Sequence, residues 1–184
     1  MTQIVLFVVA SAGIVWLSWR SLRDLSAHGF YRFFGFELLW ALAVLNAPLC
    51  FSDLFSLRQV VSFFLGAISI GLAIEGFRLL RLVGQPGARP QAPGTNLPFE
   101  NTTALVTVGA YQYIRHPLYA SLLAATWCAW LKDPLGAGRI FLALGASGFF
   151  VATAIAEERE NLAHFGAPYG AYMKTTSRFI PFLW

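Results

Sequence analysis

Two short clusters hold most of the residue types that can do chemistry in this chain. One is Gly109-Ala110-Tyr111-Gln112-Tyr113-Ile114-Arg115-His116-Pro117-Leu118-Tyr119, and the other is Glu157-Glu158-Arg159-Glu160. Glu157 and Glu158 together suit a cationic ligand. Arg115, His116 and the free N–H groups of a helix start suit an anion, and the rings of Tyr111 and Tyr119 offer faces to a flat or cationic group. Each cluster also has a plainer reading. Pro117 fits a first helical turn, where its missing N–H costs nothing, with Arg115 and the tyrosines as interfacial anchors. Three glutamates at a helix C-terminus oppose the macrodipole by about 0.3–1 kcal/mol each, unless the helix continues and carries them as a solvated acidic face.

The elements that must position these clusters follow from composition. Of 184 residues, 57% are apolar and 12% charged, against about 25% charged in an average soluble domain, and the mean hydropathy is +0.61. Such a chain has too few polar residues to coat a soluble globule, so a bilayer is its solvent. It reads as a single membrane domain over residues 1–184, without a separate soluble unit. Five apolar runs are long enough to be considered as spans: about Met1 to Trp19, Phe33 to Ser52 with a kink expected at Asn46-Ala47-Pro48, Gln59 to Leu80, His116 to Leu131, and Ile140 to Ala156. Ala67 and Gly71 are small enough for a neighbouring helix to approach the third run closely. The parts are then three N-terminal spans in 1–82, a cytoplasmic linker in 83–115, a helical hairpin in 116–156, and a cytoplasmic tail in 157–184.

The basic residues lie in the breaks between these runs, so the net charge of +4 reads as topology and not as a nucleic-acid footprint. With the N-terminus outside, the inner segments hold ten Lys and Arg residues and the outer ones hold Arg58, Lys132 and Arg139. That bias fixes the expected orientation and puts both clusters on the cytoplasmic side. The first charges, Arg20 and Arg23, follow the first apolar run, the reverse of a secretory signal. Gly84 to Gly94, rich in Gly and Pro, reads as an irregular cytoplasmic lid or linker. Glu37 and Glu75 read as carboxylates reaching the interface beside Arg32 and Arg78. Cys50 and Cys128 read as buried packing residues, and the histidines show no metal-ligand spacing. The short turn between the fourth and fifth runs makes them antiparallel neighbours, so the two clusters meet in space.

Arg115-His116-Pro117-Leu118-Tyr119, preceded by Gly109-Ala110-Tyr111 and followed by Glu157-Glu158, Phe165-Gly166, Tyr169, Tyr172 and Pro181, resembles the isoprenylcysteine carboxyl methyltransferase family, to which membrane phospholipid N-methyltransferases also belong. The resemblance covers about Thr102 to Trp184. It implies an all-α integral membrane methyltransferase with S-adenosylmethionine as cofactor. The implied cofactor-binding residues are Thr103, Ala104, Leu105, Val106, Tyr111, His116, Pro117, Leu118, Tyr119 and Glu157, with Arg115 and Glu158 catalytic. A lipophilic or amphipathic acceptor would enter from the bilayer. Two positions depart from the family pattern: Ser121 stands for a glycine, and Thr153 stands for an arginine associated with the acceptor's carboxylate. The second departure points away from a prenylcysteine substrate. Alternatives of other classes are an NADPH-dependent membrane reductase of the sterol type and a non-enzymatic membrane subunit. A compact chain of this kind suits a bacterial cytoplasmic membrane.

Overall fold

The computed structural model describes residues 1–87, 97, 99–133 and 136–183. Within them the chain is helical, with isolated bridges but no strand. The helices are α1 (Thr2–Ser18), α2 (His28–Asn46), α3 (Leu57–Leu82), α4 (Pro117–Leu131), α5 (Ala137–Phe165) and α6 (Ala167–Thr175). Three helical stretches are long and apolar enough to cross a membrane: His28–Leu49, Leu57–Leu82 and Gly138–Phe165. They mark a membrane protein. The other two apolar helices are shorter: α1 has 17 residues and α4 has 15, about 25 and 22 Å at 1.5 Å per residue. A hydrocarbon core is about 30 Å thick.

Side-chain pairs fix how the helices run. Gln3 Nε2 donates to the Val44 carbonyl at 3.0 Å and Ser11 Oγ to Glu37 Oε2 at 2.6 Å, so α1 is antiparallel to α2. Ser62 donates to the Cys128 carbonyl at 2.9 Å and Ser69 to that of Ser121 at 2.8 Å, which makes α3 antiparallel to α4. The rings of Phe34 and Phe149 stack at 5.2 Å, while the backbone N–H of His28 meets Glu160 Oε1 at 3.0 Å, so α2 is antiparallel to α5. The close approach to α4 is made at Gly66 and Gly76, where an added Cβ would stand 3.3 Å from Cys128 Sγ and 2.7 Å from Leu118 Cδ2. Of the two expected positions, Ala67 is exposed and Gly71 faces open space. Residues 62, 66, 69 and 76 follow helical spacing on one face, and 71 falls off it.

Helix ends also differ from the sequence expectations. α2 stops at Asn46, and Pro48 sits in a 3-10 turn over Ala47–Leu49, because a proline has no N–H to continue the ladder. The expected kink is therefore a helix end. α5 passes Ala156 and continues to Phe165, so Glu157, Glu158 and Glu160 ride on the helix itself. Glu, Arg, Leu and Ala are strong helix formers, and termination waits for Gly166, whose φ of +62 suits a residue without a Cβ. The cysteines are free and half-buried.

The alternation brings the C-termini of α1, α3 and α5 together with the N-termini of α2 and α4. The opposite end is closed by side chains that cap each other. Lys132 Nζ donates to Gln59 Oε1 at 2.8 Å and lies 3.6 Å from the centre of the Phe63 ring. Gln59 Nε2 donates to the carbonyls of Ser52 at 2.6 Å and Leu49 at 3.0 Å. Arg58 Nη1 donates to the Leu131 carbonyl at 2.6 Å, and Asn46 Nδ2 to that of Ala129 at 2.8 Å.

Candidate functional site

The site exists because α4 is short and its neighbours are long. Leu118, near the start of α4, packs on Gly76, yet α3 runs on to Leu82, about 9 Å further. Above the N-terminus of α4 that step leaves a cavity of about 300 Å³. Arg32 and Phe36 of α2, Ala73, Phe77 and Leu80 of α3, and Leu118, Tyr119 and Leu122 of α4 line it. α5 adds Glu157, Asn161 and Phe165, α6 adds Tyr169 and Tyr172, and the segment before α4 adds Phe99, Glu100, Thr102, Leu105, Val106, Tyr111, Arg115 and His116. The wall is mostly apolar with a few convergent polar groups, the usual make-up of a small-molecule site.

Of the residues singled out from sequence, Leu105, Val106, Tyr111, Arg115, His116, Leu118, Tyr119 and Glu157 share this wall. Thr103 and Ala104 do not line it. Their amides donate to the Gly84 carbonyl at 3.0 and 3.1 Å, and the Thr103 hydroxyl donates to that of Gln85 at 2.9 Å. Pro117 is fully buried in the first turn of α4 and also stands outside the wall. Of the expected lid, 88–94 lie outside the described residues.

Glu158 is buried beside the cavity, with both carboxylate oxygens taken. It accepts from Arg115 Nε at 2.8 Å and from Arg178 Nε and Nη2 at 3.1 and 2.8 Å, and His116 Nε2 stands 3.4 Å away. Arg115 Nη1 also donates to the carbonyls of Met173, at 3.1 Å, and Thr176. Backbone bonds continue the seam: Arg115 N–H to the Ser177 carbonyl at 2.8 Å, His116 N–H to that of Arg178 at 3.2 Å, and Ser177 N–H to that of Tyr113 at 3.1 Å. The expected catalytic pair is thus a clamp joining the entry of α4, α5 and the C-terminal segment. A buried carboxylate shared between the buried guanidinium of Arg115 and the half-buried one of Arg178 is held as a framework group, because removing a partner strands a charge.

On the cavity side, Tyr119 and Glu157 line the same wall, near enough for phenol and carboxylate to interact. Tyr172 Oη donates to the Tyr111 carbonyl at 2.6 Å. Burial pushes the Tyr111 phenol well above its ordinary range, with the charge of Glu157 adding to the effect. The phenols of Tyr169 and Tyr172 are also raised by burial. All three stay protonated and remain donors. Among the described residues no group of His, Cys, Asp and Glu has the arrangement of a metal site.

Sequence reasoning missed Arg32. It is 2% exposed, lines the cavity, and pairs through Nη1 with Glu100, which also accepts from the Leu97 N–H at 2.7 Å. Its expected neighbour, Glu37, instead accepts from Ser11, whereas Glu75 does pair with exposed Arg78 at 3.2 Å. The signal was available: an ionisable residue at the edge of an apolar span is a functional candidate, a rule that applies to Arg32 as well as to the glutamates. Thr153 is fully buried, with its hydroxyl donating to the Phe149 carbonyl at 2.7 Å.

Two curated bacterial proteins are similar to this chain over 71 residues. Methanethiol S-methyltransferase of Mycobacterium tuberculosis is 31% identical over 39% of this chain and 28% of its own length. Methanethiol S-methyltransferase 2 of Bradyrhizobium diazoefficiens is 31% identical over 39% of this chain and 26% of its own. Both are named as methyltransferases. The match thus spans little more than a quarter of either relative. No family model matches the chain, and no solved structure matches it.

Proposed function

We propose that this chain is an integral membrane methyltransferase that binds S-adenosylmethionine in the cavity above α4 and methylates a lipophilic or amphipathic acceptor. The observation that carries this reading is the meeting of Tyr119 and His116 with Glu157 on one cavity wall, which unites the two sequence clusters. The methyltransferase names of the two relatives support it, and they do not favour the reductase alternative. Their names add a thiol as a candidate acceptor class.

The wall fits a ligand that carries an adenine, a cationic centre and an amino-acid tail: the carboxylate of Glu157, tyrosine rings and a broad apolar surface face one space, and the second lining carboxylate, Glu100, is paired with Arg32. When bound, S-adenosylmethionine supplies a sulfonium methyl that passes to the acceptor's lone pair while the carbon–sulfur electrons stay on sulfur. Glu157, beside Tyr119 on the wall, would hold the ammonium. Tyr111, locked by the Tyr172 bond at its carbonyl, gives a rigid ring face. The apolar side chains of α3 and α4 exclude water, so positioning and desolvation do most of the work. A thiolate acceptor needs no base. For an acceptor that must lose a proton, His116 is the base that faces the cavity, since Glu158 is committed to two arginines.

In this reading α1 and α4 also cross the bilayer, giving five spans with the cavity at the cytoplasmic face. The Thr153 position, closed on its own helix, offers no cation to a prenylcysteine carboxylate. Calorimetry on detergent-purified protein tests the function: S-adenosylhomocysteine binds, and Glu157→Ala or His116→Ala weakens it at least tenfold. Tight NADPH binding with none for S-adenosylhomocysteine overturns the reading. Efficient methylation of a prenylated cysteine analogue, at the expense of a short thiol, removes the substrate argument from Thr153. A C-terminal reporter active only outside the cytoplasm reverses the topology.

A further inference from the structure

Arg32 has one satisfied edge and one unpaired edge. Nη1 is committed to Glu100, while Nε and Nη2 are buried with no hydrogen-bond partner among the described residues. Those two nitrogens carry the parallel N–H groups with which a guanidinium grips a carboxylate side-on. A buried donor left unpaired is costly, and Arg32 borders the cavity, so a ligand there is in a position to complete it. The cavity also presents Glu157, close enough to Arg32 for the two charges to interact. Arg115 and Glu100 also line the space but are committed to Glu158 and to Arg32 Nη1, so the unpaired edge of Arg32 and the carboxylate of Glu157 remain, a set that matches a zwitterion. A purely anionic headgroup is matched less well, because both Glu157 and Glu100 line the space it would enter.

Resting on the cofactor reading above, we propose that Arg32 is the anion subsite of the cavity and that its unpaired edge grips the α-carboxylate of the donor's amino-acid tail, whose ammonium is held by Glu157. α2 is then part of the cofactor site, although it lies outside both sequence clusters and outside the stretch that carries the family resemblance. The guanidinium also links that ligand to the Glu100–His28–Glu160 chain, in which His28 Nε2 lies 3.3 Å from Glu100 and Nδ1 lies 2.8 Å from Glu160. The N-terminus of α2 and the C-terminal half of α5 are held together around the tail.

The test compares two ligands against two variants by calorimetry, with thermal midpoints recorded for each protein. S-adenosylhomocysteine carries the amino-acid tail and 5′-methylthioadenosine lacks it. In Arg32→Gln, binding of the first falls at least tenfold, and binding of the second stays within twofold. Arg32→Lys, which keeps the charge facing Glu100 but loses the side-on fork, is intermediate for the first ligand and unchanged for the second; it carries the test if Arg32→Gln does not hold the fold. Equal weakening of both ligands, or no change in either, overturns the subsite. So does unchanged S-adenosylhomocysteine binding together with a raised KM for the acceptor, which assigns the unpaired edge to an acceptor's anion. Wild-type protein that binds neither adenosyl ligand fails at the earlier step and removes the cofactor reading along with the subsite.

Discussion

Both ends of the bundle bury polar side chains, and they use them differently. At the Lys132 end the buried cation faces Gln59 and an aromatic ring, Gln59 in turn caps the loop after α2, and Arg58 caps the end of α4. These groups find their partners within the protein, and the end is shut. At the Arg32 end the short α4 leaves space, and a guanidinium keeps two nitrogens without partners among the described residues. The difference teaches where to look for a ligand in a chain so poor in charge. Burial of a polar group is common to both ends, and unpaired atoms occur at both, Asn46 Oδ1 and Trp130 Nε1 at the closed one; a buried cation with unpaired donors beside a cavity separates them.

Four substitutions break or sharpen that contrast. The largest effect is expected for Glu158→Ala, which strands Arg115 and Arg178 and should cost about 3–5 kcal/mol, read as a large drop in thermal midpoint in detergent. A small drop would mean that the clamp is not a framework element. Glu157→Gln comes next. Its effect should fall on ligand binding, with S-adenosylhomocysteine affinity reduced about tenfold to a hundredfold, as for a charge-assisted hydrogen bond of about 1.5–3 kcal/mol, and the midpoint nearly unchanged. Lys132→Met gives the reverse pattern at the closed end: it orphans Gln59 Oε1 at about 1–3 kcal/mol while ligand affinity stays within twofold. If affinity fell with it, the two ends would be coupled. The smallest effect belongs to Tyr172→Phe, which removes the bond to the Tyr111 carbonyl at about 0.5–1.5 kcal/mol and is measured as a modest midpoint shift.

The all-helical class and the meeting of the two clusters were legible in the sequence, because apolar runs and a tight turn between α4 and α5 leave little choice. Helix ends were less so. A hydropathy reading stops where charges begin, and α5 continues through Glu157, Glu158 and Glu160 because those residues favour a helix even outside an apolar environment. The role of Glu158 was hidden for a different reason: its partners include Arg178, and nothing local ties residue 178 to residue 158. Arg32 was hidden in the same way. Its place opposite Glu157 depends on the antiparallel register of α2 and α5, set by contacts such as Gly35 against the Phe150 ring, and one-dimensional spacing does not carry that register.

The seam between Arg115 and residues 176–178 has a consequence for the order of events during synthesis. Helices α1 to α5 emerge from the ribosome before the segment that completes the clamp, and domains form from the N-terminal side as the chain is made. Until Thr176, Ser177 and Arg178 arrive, Arg115 lacks its carbonyl partners and Glu158 lacks its second cation. The five helices of the bundle can therefore be made while the pocket is still unfinished, and the segment Thr176 to Arg178, which follows them, closes the frame.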